Sequence, residues 1–429
     1  MPLYTLTCYR DVSQHPLVLA LIWLSLFPAN SLADDFAPNR FSFNGFATLG
    51  AVRGGSEALG YRQDVAEDGV FEDDWSLKTD SLLALQFGIR LSDNLDAAMQ
   101  FVYEDRATNG IKESLKWAYL RYRFSPEFTA RAGRIGFDLF MLSDYRQLGF
   151  SYLWARPPIE FYGPLAFEYF DGADIGYSAP LGIGTLRAKF FAGSSDTAVD
   201  FIDDNDKLRL DEAIGATVNW ETTHWQLRVS ATSVEFSDDL QQTYGTDIFI
   251  AALLAAAQLG WTDAEGIAEQ IELKDVTANY YAVGISYDNA PWVIQTEINY
   301  FDAEEHLFKS YSGRYLSIGY RIASTTLYGL MARGKQMTSR DKIPAPPAAL
   351  APFLTPLQES LQTLYDFNYI NQHSVSLGFR WDIRYNLALK SQWDRTWVED
   401  AGGLLWDQKN NATQKETIDT YSLNLNVIF

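Results

Sequence analysis

Stretches in which apolar and polar residues alternate strictly recur along this chain, and they constrain its fold more than any other feature. In TLRAKFFA, Leu186, Ala188 and Phe190 alternate with Arg187 and Lys189. In HWQLRVSAT, Trp225, Leu227, Val229 and Ala231 alternate with Gln226, Arg228, Ser230 and Thr232. In SVSLGFRWD, Val375, Leu377, Phe379 and Trp381 alternate with Ser376, Gly378, Arg380 and Asp382. Successive side chains of a strand point to opposite faces, so each stretch makes a strand with one oily and one polar face.

The connections between these stretches alternate in length. Short ones, rich in turn formers, are LSDN (91–94), SPE (125–127), APLGIG (179–184), ETT (221–223), DNAP (288–291), AS (323–324) and IRYN (383–386). Seven such turns interleaved with eight longer connections predict sixteen strands with both termini on the short-turn side. The expected strands are 40–52, 79–90, 95–106, 112–124, 128–137, 169–178, 185–195 and 209–220. The second eight are 224–236, 273–287, 292–303, 313–322, 325–336, 371–382, 386–398 and 416–429. The last stretch, TYSLNLNVIF (420–429), would be an unprotected edge unless it pairs. Pairing it with the first strand, RFSFNGFATLGAV (40–52), closes a barrel.

Residues 1–33 read as a cleaved signal peptide ahead of a barrel spanning 34–429. Arg10 precedes an apolar run from Leu17 to Phe27, far short of the ~20 residues a membrane-spanning helix needs. Ser31 and Ala33 supply the small residues of a cleavage site. The one cysteine, Cys8, lies inside that leader and ahead of its apolar run. Neither a disulfide framework, nor a cysteine-based metal site, nor a lipid anchor is therefore expected in the mature chain.

A chain that is 47% hydrophobic and holds no further run of ~18 apolar residues can still meet lipid through alternating strands. Only every second residue of a transmembrane barrel faces hydrocarbon, and closure satisfies the backbone. The aromatic content of 15%, with 24 Tyr and 12 Trp, suits interfacial girdles. The net charge of -21 comes largely from loop stretches: DVAEDGVFEDD (64–74), VDFIDDNDKLRLDE (199–212) and WVEDAGG (397–403). These are read mainly as solvated faces, without the glycine and spacing of a calcium loop. Two loops, 247–273 and 344–367, are apolar enough to form helices over or in the barrel mouth.

Over essentially the whole mature chain the sequence resembles the Gram-negative general porins: a leader, sixteen inferred strands, short turns alternating with long loops, and a terminal Phe. The resemblance implies an all-β, 16-stranded antiparallel transmembrane barrel of the bacterial outer membrane. Its turns would be periplasmic, its long loops extracellular, and the loop after the fifth strand would fold inward as a constriction. The family's barrel-assembly signal falls here on Tyr421, Leu423, Leu425, Val427 and Phe429. Implied partners are outer-membrane lipid, lipopolysaccharide, the barrel-assembly machinery and small polar solutes, with a homotrimeric assembly and no nucleic acid.

The family's inward loop corresponds to Asp138–Gly172, of whose enteric signature only EFYG (160–163) is present. Such a loop would pack Phe140, Leu142, Trp154 and Phe161 while offering Asp138, Asp144, Tyr145, Arg146 and Glu160 to the pore. Strand parity, with Ala118, Leu120 and Tyr122 outward, turns Tyr119, Arg121 and Arg123 inward, and Arg131 likewise. Arg90, Arg187, Lys189, Arg228 and Arg380 join them as expected pore-wall cations, because charge on the lipid face costs ~2–4 kcal/mol. Cations facing an acidic loop would set a field across the constriction.

No enzyme, metal or cofactor is expected. Outside the leader three histidines remain, His224, His306 and His373, none in a metal-binding or nucleophile-elbow pattern. A plugged barrel for hydrophobic compounds is the rival reading. It is disfavoured by the six residues, 34–39, that would precede the first strand; a filled structural or adhesive barrel is another, supported by the two apolar loops.

Overall fold

The computed structural model describes residues 40–72, 74–106, 111–164, 166–198, 207–303, 307, 309–338, 340–409 and 414–429. The expected leader, His306 and the 199–206 portion of the second acidic stretch lie outside these residues.

Sixteen long strands form one antiparallel barrel. The first eight are β1 (Phe41–Arg53), β2 (Leu82–Arg90), β3 (Leu95–Glu104), β4 (Leu115–Arg123), β5 (Phe128–Gly136), β6 (Tyr169–Leu181), β7 (Gly184–Ala198) and β8 (Lys207–Glu221). The others are β9 (Trp225–Phe236), β10 (Thr277–Asn289), β11 (Trp292–Ala303), β12 (Tyr311–Ile322), β13 (Thr325–Gln336), β14 (Ile370–Arg384), β15 (Leu387–Gly403) and β16 (Glu416–Ile428). Every strand expected from the sequence is present. The third acidic stretch is a correction: WVEDAGG completes β15 rather than opening a loop, because Val398 and Gly403 are still paired with β14.

Closure answers the problem of the apolar C-terminus. β1 pairs with β16 from Phe46 opposite Ile428 to Arg53 opposite Tyr421, and with β2 on its other side. Gly45 N–H donates to Phe429 O (2.8 Å) and Phe429 N–H returns to Gly45 O (2.9 Å). Among the described residues no barrel strand is left as an unpaired edge.

The two faces separate as the alternation requires. Leu120, Phe190, Val229, Val283, Leu327 and Leu377 are exposed on the outside. Near the short-turn end, outer aromatics touch across strands, Phe128 with Tyr177 (centroids 4.9 Å apart), Trp225 with Tyr287 (4.6 Å) and Trp292 with Tyr320 (4.9 Å), as a girdle at a membrane interface does. Inside, Ser230, Ser317, Ser376, Ser422, Asn424 and Asn426 are buried, so part of the lumen is filled.

The long-loop end is covered by a packed lid. Both apolar loops fold as helices, Thr246–Gln258 and Ala264–Gln270 in the first, Ala351–Phe367 in the second. Leu253, Trp261, Ile267, Leu361 and Tyr365 share one core with Val65 and Ala66 of the β1–β2 loop and with Ala166. That β1–β2 loop is also held across the barrel: Leu59–Gly60 pairs with Asp407–Gln408, and Arg62 Nη2 donates to Leu404 O (2.7 Å).

Candidate functional site

The β5–β6 loop turns into the barrel and is fixed there by the inner faces of β8 to β16. Met141 N–H donates to Glu297 Oε2 on β11 (2.8 Å), and the Tyr162 and Tyr315 hydroxyls donate to Glu297 Oε1 (2.5 and 2.6 Å). Trp154 Nε1 donates to Ser317 Oγ on β12 (2.7 Å), Ala155 N–H to Tyr328 on β13 (3.0 Å), and Asn424 of β16 to Ala155 O (2.8 Å). The short helix Ile159–Tyr162 is wholly buried. It fits because Gly313 and Gly334 lack a Cβ where Glu160 O and the Tyr311 ring lie. Phe140, Phe161, Tyr162, Trp154 and Tyr315 then meet edge to face, the favoured aromatic geometry.

Several of the expected pore-wall cations hold this loop. Lys189 (2.6 Å) and Arg228 both pair with Asp138, and Arg228 also donates to Asp138 O (3.0 Å). Burial pushes the Asp138 carboxyl up, but the two cations outweigh it and hold it at about 2. Arg380 donates to Phe150 O (2.7 Å) and Tyr152 O (2.9 Å). Glu160 accepts from Gln372 (3.0 Å), and burial raises its pKa above the ordinary carboxylate value. Two anchors went unread in the sequence. Lys390 on β15 is 1% exposed and donates to Tyr152 O (2.6 Å), Trp154 O (2.7 Å) and Gly149 O. Glu297 is the other, and both were legible by parity, as charged residues on the polar phase of NLALKSQWD and WVIQTEINY.

On the opposite side a vestibule of about 620 Å³ runs between the loop and the inner faces of β1 to β4. Asn44, Gln86, Gln100 and Lys116 line it from the wall, and Asp144, Tyr145, Arg146 and Gln147 from the loop. Tyr385, Asn386 and Phe429 line its short-turn end. Burial pushes the Tyr145 hydroxyl up to about 12. Of the residues assigned to the constriction by sequence, Asp144, Tyr145 and Arg146 come together here, whereas Asp138 and Glu160 are buried in loop anchoring. Of the remaining cations, four sit in acid pairs with neighbouring strands. Arg121 (2.8 Å) and Arg123 (3.0 Å) share Asp96, while Arg131 is held by Asp174 (2.9 Å) and lies 5.1 Å from the Tyr119 ring centre. Arg187 pairs with Glu221 and stays half exposed; Arg90 is exposed at the turn end of β2.

A largely buried ion network borders the vestibule. Lys116 bridges Glu104 (2.8 Å) and Glu168; Arg106 reaches Glu168 (2.5 Å) and Asp64 (3.4 Å), and Arg146 also reaches Asp64 (3.3 Å). Burial raises the Glu168 carboxyl, but Arg106, Lys116 and Arg146 prevail and hold it at about 2. Asp64 and Glu67 correct the reading of the 64–74 stretch as a solvated face: both are buried, and burial together with Asp64 raises Glu67 well above its ordinary value. The β1–β2 loop enters the lumen, where Tyr61 lies 3.6 Å under Arg156 of the β5–β6 loop. At the C-terminus Tyr421 and Leu423 are exposed on the outer face, Leu425 and Phe429 are half-buried and Val427 is buried.

No protein-family model and no curated protein matches the sequence. Solved structures do resemble the barrel. The anion-selective porin from Comamonas acidovorans is 13% identical with a TM-score of 0.52, over 91% of this chain and 99% of that one. The outer membrane channel DcaP of Acinetobacter baumannii is 11% identical with a TM-score of 0.52, over 91% and 97%. Salmonella typhi OmpF, solved in complex with daunomycin, is 10% identical with a TM-score of 0.51, over 91% and 97%. The inward β5–β6 loop, the closure of β1 on β16 and these likenesses together make the fold that of the sixteen-stranded outer-membrane porins.

Proposed function

We propose that this protein is a passive channel of the bacterial outer membrane for small polar solutes and ions. The observation that carries the reading is the vestibule of about 620 Å³. Its walls set amides from β1, β2 and β3 against charged groups on the loop, so solutes exchange hydration for fixed polar partners as they pass. Asp144 on the loop, together with the paired groups Arg146, Lys116 and Glu168, puts both signs of charge around this space, which filters solutes by charge as well as size.

Outer-membrane location, lipid and lipopolysaccharide contact on the apolar outer face, and recognition of the Tyr421–Phe429 segment by the assembly machinery belong to the same reading. So does a homotrimer, which cross-linking in native membranes tests. One observation favours a second reading, a barrel closed at rest: the lid core joins helices of two loops to Val65 and Ala66 of a third. Single-channel current across a planar bilayer under a salt gradient decides between them. Steady ohmic steps support the open channel, and silence from correctly folded, heat-modifiable protein supports closure by the lid.

A further inference from the structure

Three cations stand together, without acids, on the outer face of the barrel. From the short turn upward, the outward residues of β12 are Ile322, Tyr320, Ile318, Leu316 and then Arg314. Those of β13 are Leu327, Gly329, Met331 and then Arg333 and Lys335. Arg314, Arg333 and Lys335 are exposed, as are the apolar side chains beneath them. From Ile322 to Arg314 the tilted strand climbs roughly 20 Å, close to the ~25 Å height of an outer apolar band. The three cations therefore mark the edge of that band at the long-loop end.

Their register makes the grouping unfavourable for the barrel by itself. Arg314 and Arg333 are directly opposite each other, and Lys335 lies one outward position further up β13, opposite Ser312. Like charges in directly opposed positions repel. No acid stands close enough in the ladder to relieve them: Arg314 faces Ile298 on β11, while Arg333 and Lys335 face His373 and Asn371 on β14. Asp302, the outward acid of β11, accepts instead from Ser310 (2.9 Å) and Tyr300 (3.3 Å). Among the described residues none of the three pairs with an acid, whereas Arg395, on the same face of β15, is held by Asp419 (2.7 Å).

We propose that Arg314, Arg333 and Lys335 clamp the phosphate of a lipid head group in the leaflet at the long-loop end. Guanidinium groups suit this partner because their forked N–H donors match phosphate oxygens, and the phosphate's negative charge offsets the repulsion across β12 and β13. The surface beneath completes the match. Its apolar side chains take acyl chains, and Gly329, opposite both Ile318 and Leu377, leaves a furrow among them. A free anion would use the cations alone, whereas a lipid uses cations and apolar surface together. The inference rests on the outer-membrane location proposed above and names the place and the chemical group of the lipid contact.

The test uses the full barrel folded in detergent, with lipid A carrying its phosphates as the probe and native mass spectrometry as the readout. Saturable binding to the unaltered protein is expected. Joint replacement Arg314→Gln and Arg333→Gln is expected to weaken it on the order of 10-fold, and Lys335→Gln about 3-fold, in line with loss of charge-assisted hydrogen bonds. Arg395→Gln, which removes a paired cation from the same face, is expected to change it by less than about 2-fold. Arg333→Glu sets an acid opposite Arg314 and is expected to abolish binding without lowering the urea midpoint of the heat-modifiable transition, so lost binding is not lost fold. Lipid A stripped of its phosphates is expected to bind on the order of 10-fold more weakly, and excess inorganic phosphate to leave the intact lipid bound. No saturable binding, or equal binding by the unaltered and doubly substituted proteins, overturns the proposal. Equal binding with and without the lipid phosphates overturns the assignment of the group, and displacement by inorganic phosphate overturns the assignment to a lipid. The readout needs no current, so a barrel silent in a bilayer can still bind the lipid, and a conducting barrel that ignores it fails this inference alone.

Discussion

The inner wall of this barrel has two sides that look alike in sequence and differ in use. On β8 to β16 the inward polar residues face the constriction loop, and Arg228, Arg380, Lys390 and Glu297 spend their hydrogen bonds on its backbone and side chains. On β1 to β4 the inward residues Asn44, Gln86 and Gln100 face the vestibule, and the cations Arg121 and Arg123 are balanced by Asp96 on the adjacent strand. An inward arginine is therefore an anchor or a lining group according to what lies opposite it. Strand parity decides only that it points inward.

The largest expected effect tests the anchored side. Lys390→Met removes a donor from three loop carbonyls, of which Tyr152 O keeps Arg380 while Gly149 O and Trp154 O keep no side-chain donor, a loss of about 3 kcal/mol for a buried group with three hydrogen bonds. The urea midpoint of the heat-modifiable transition should fall, and bilayer currents should become noisy as the loop comes free. A variant with unchanged midpoint would show that the loop does not depend on this anchor.

Asp138→Asn comes next, at on the order of 2 kcal/mol, because it removes the negative charge that Lys189 and Arg228 share. The sign of its pH dependence is set by a folded value of about 2, below the ordinary 3.8 of an aspartate. The contribution is complete above the unfolded value and is lost as pH falls through the folded one. Stabilities of the unaltered protein and the variant should stay separated above about pH 5 and converge as the pH approaches about 2. Convergence already at neutral pH would break the assignment of Asp138 as an ionised anchor.

A smaller effect is expected on the lining side. Replacing Arg121, Arg123 and Arg131 by glutamine should shift the reversal potential toward cations, since Asp96 and Asp174 are then left uncompensated. Stability should change little by comparison with Lys390→Met. A reversal potential that does not move would remove the three from the filter. The smallest effect belongs to Arg187→Gln, an exposed pair with Glu221 worth about 0–1 kcal/mol, detectable only in low salt.

Much of the barrel was legible because strand period, turn chemistry and closure are local or nearly local properties. All sixteen strands follow from alternation and turn residues, with some ends misjudged: β4 and β10 begin later than expected, at Leu115 after a helical turn and at Thr277, and β15 runs on to Gly403, where acidic residues and glycines resemble a loop yet remain in the ladder. The helices over the mouth were legible as apolar runs. The site was less so. Asp138 and Glu160 read as pore acids because their type and position suit that role, and only the approach of Lys189, Arg228 and Gln372 makes them buried anchors. Lys390 and Glu297 carried a parity signal, but nothing in their own strands announces the loop they hold.

By itself the sequence determined the strand count, the face of each residue and the need for the last strand to meet the first, because the two-residue period of a strand and the cost of an open edge act within or between neighbouring segments. Only the tertiary structure decided which inward residues clasp the loop and which border the vestibule. Those roles depend on partners brought across the lumen from distant parts of the chain, as Met141 meets Glu297 and Ala155 meets Asn424, and no local pattern records such a meeting.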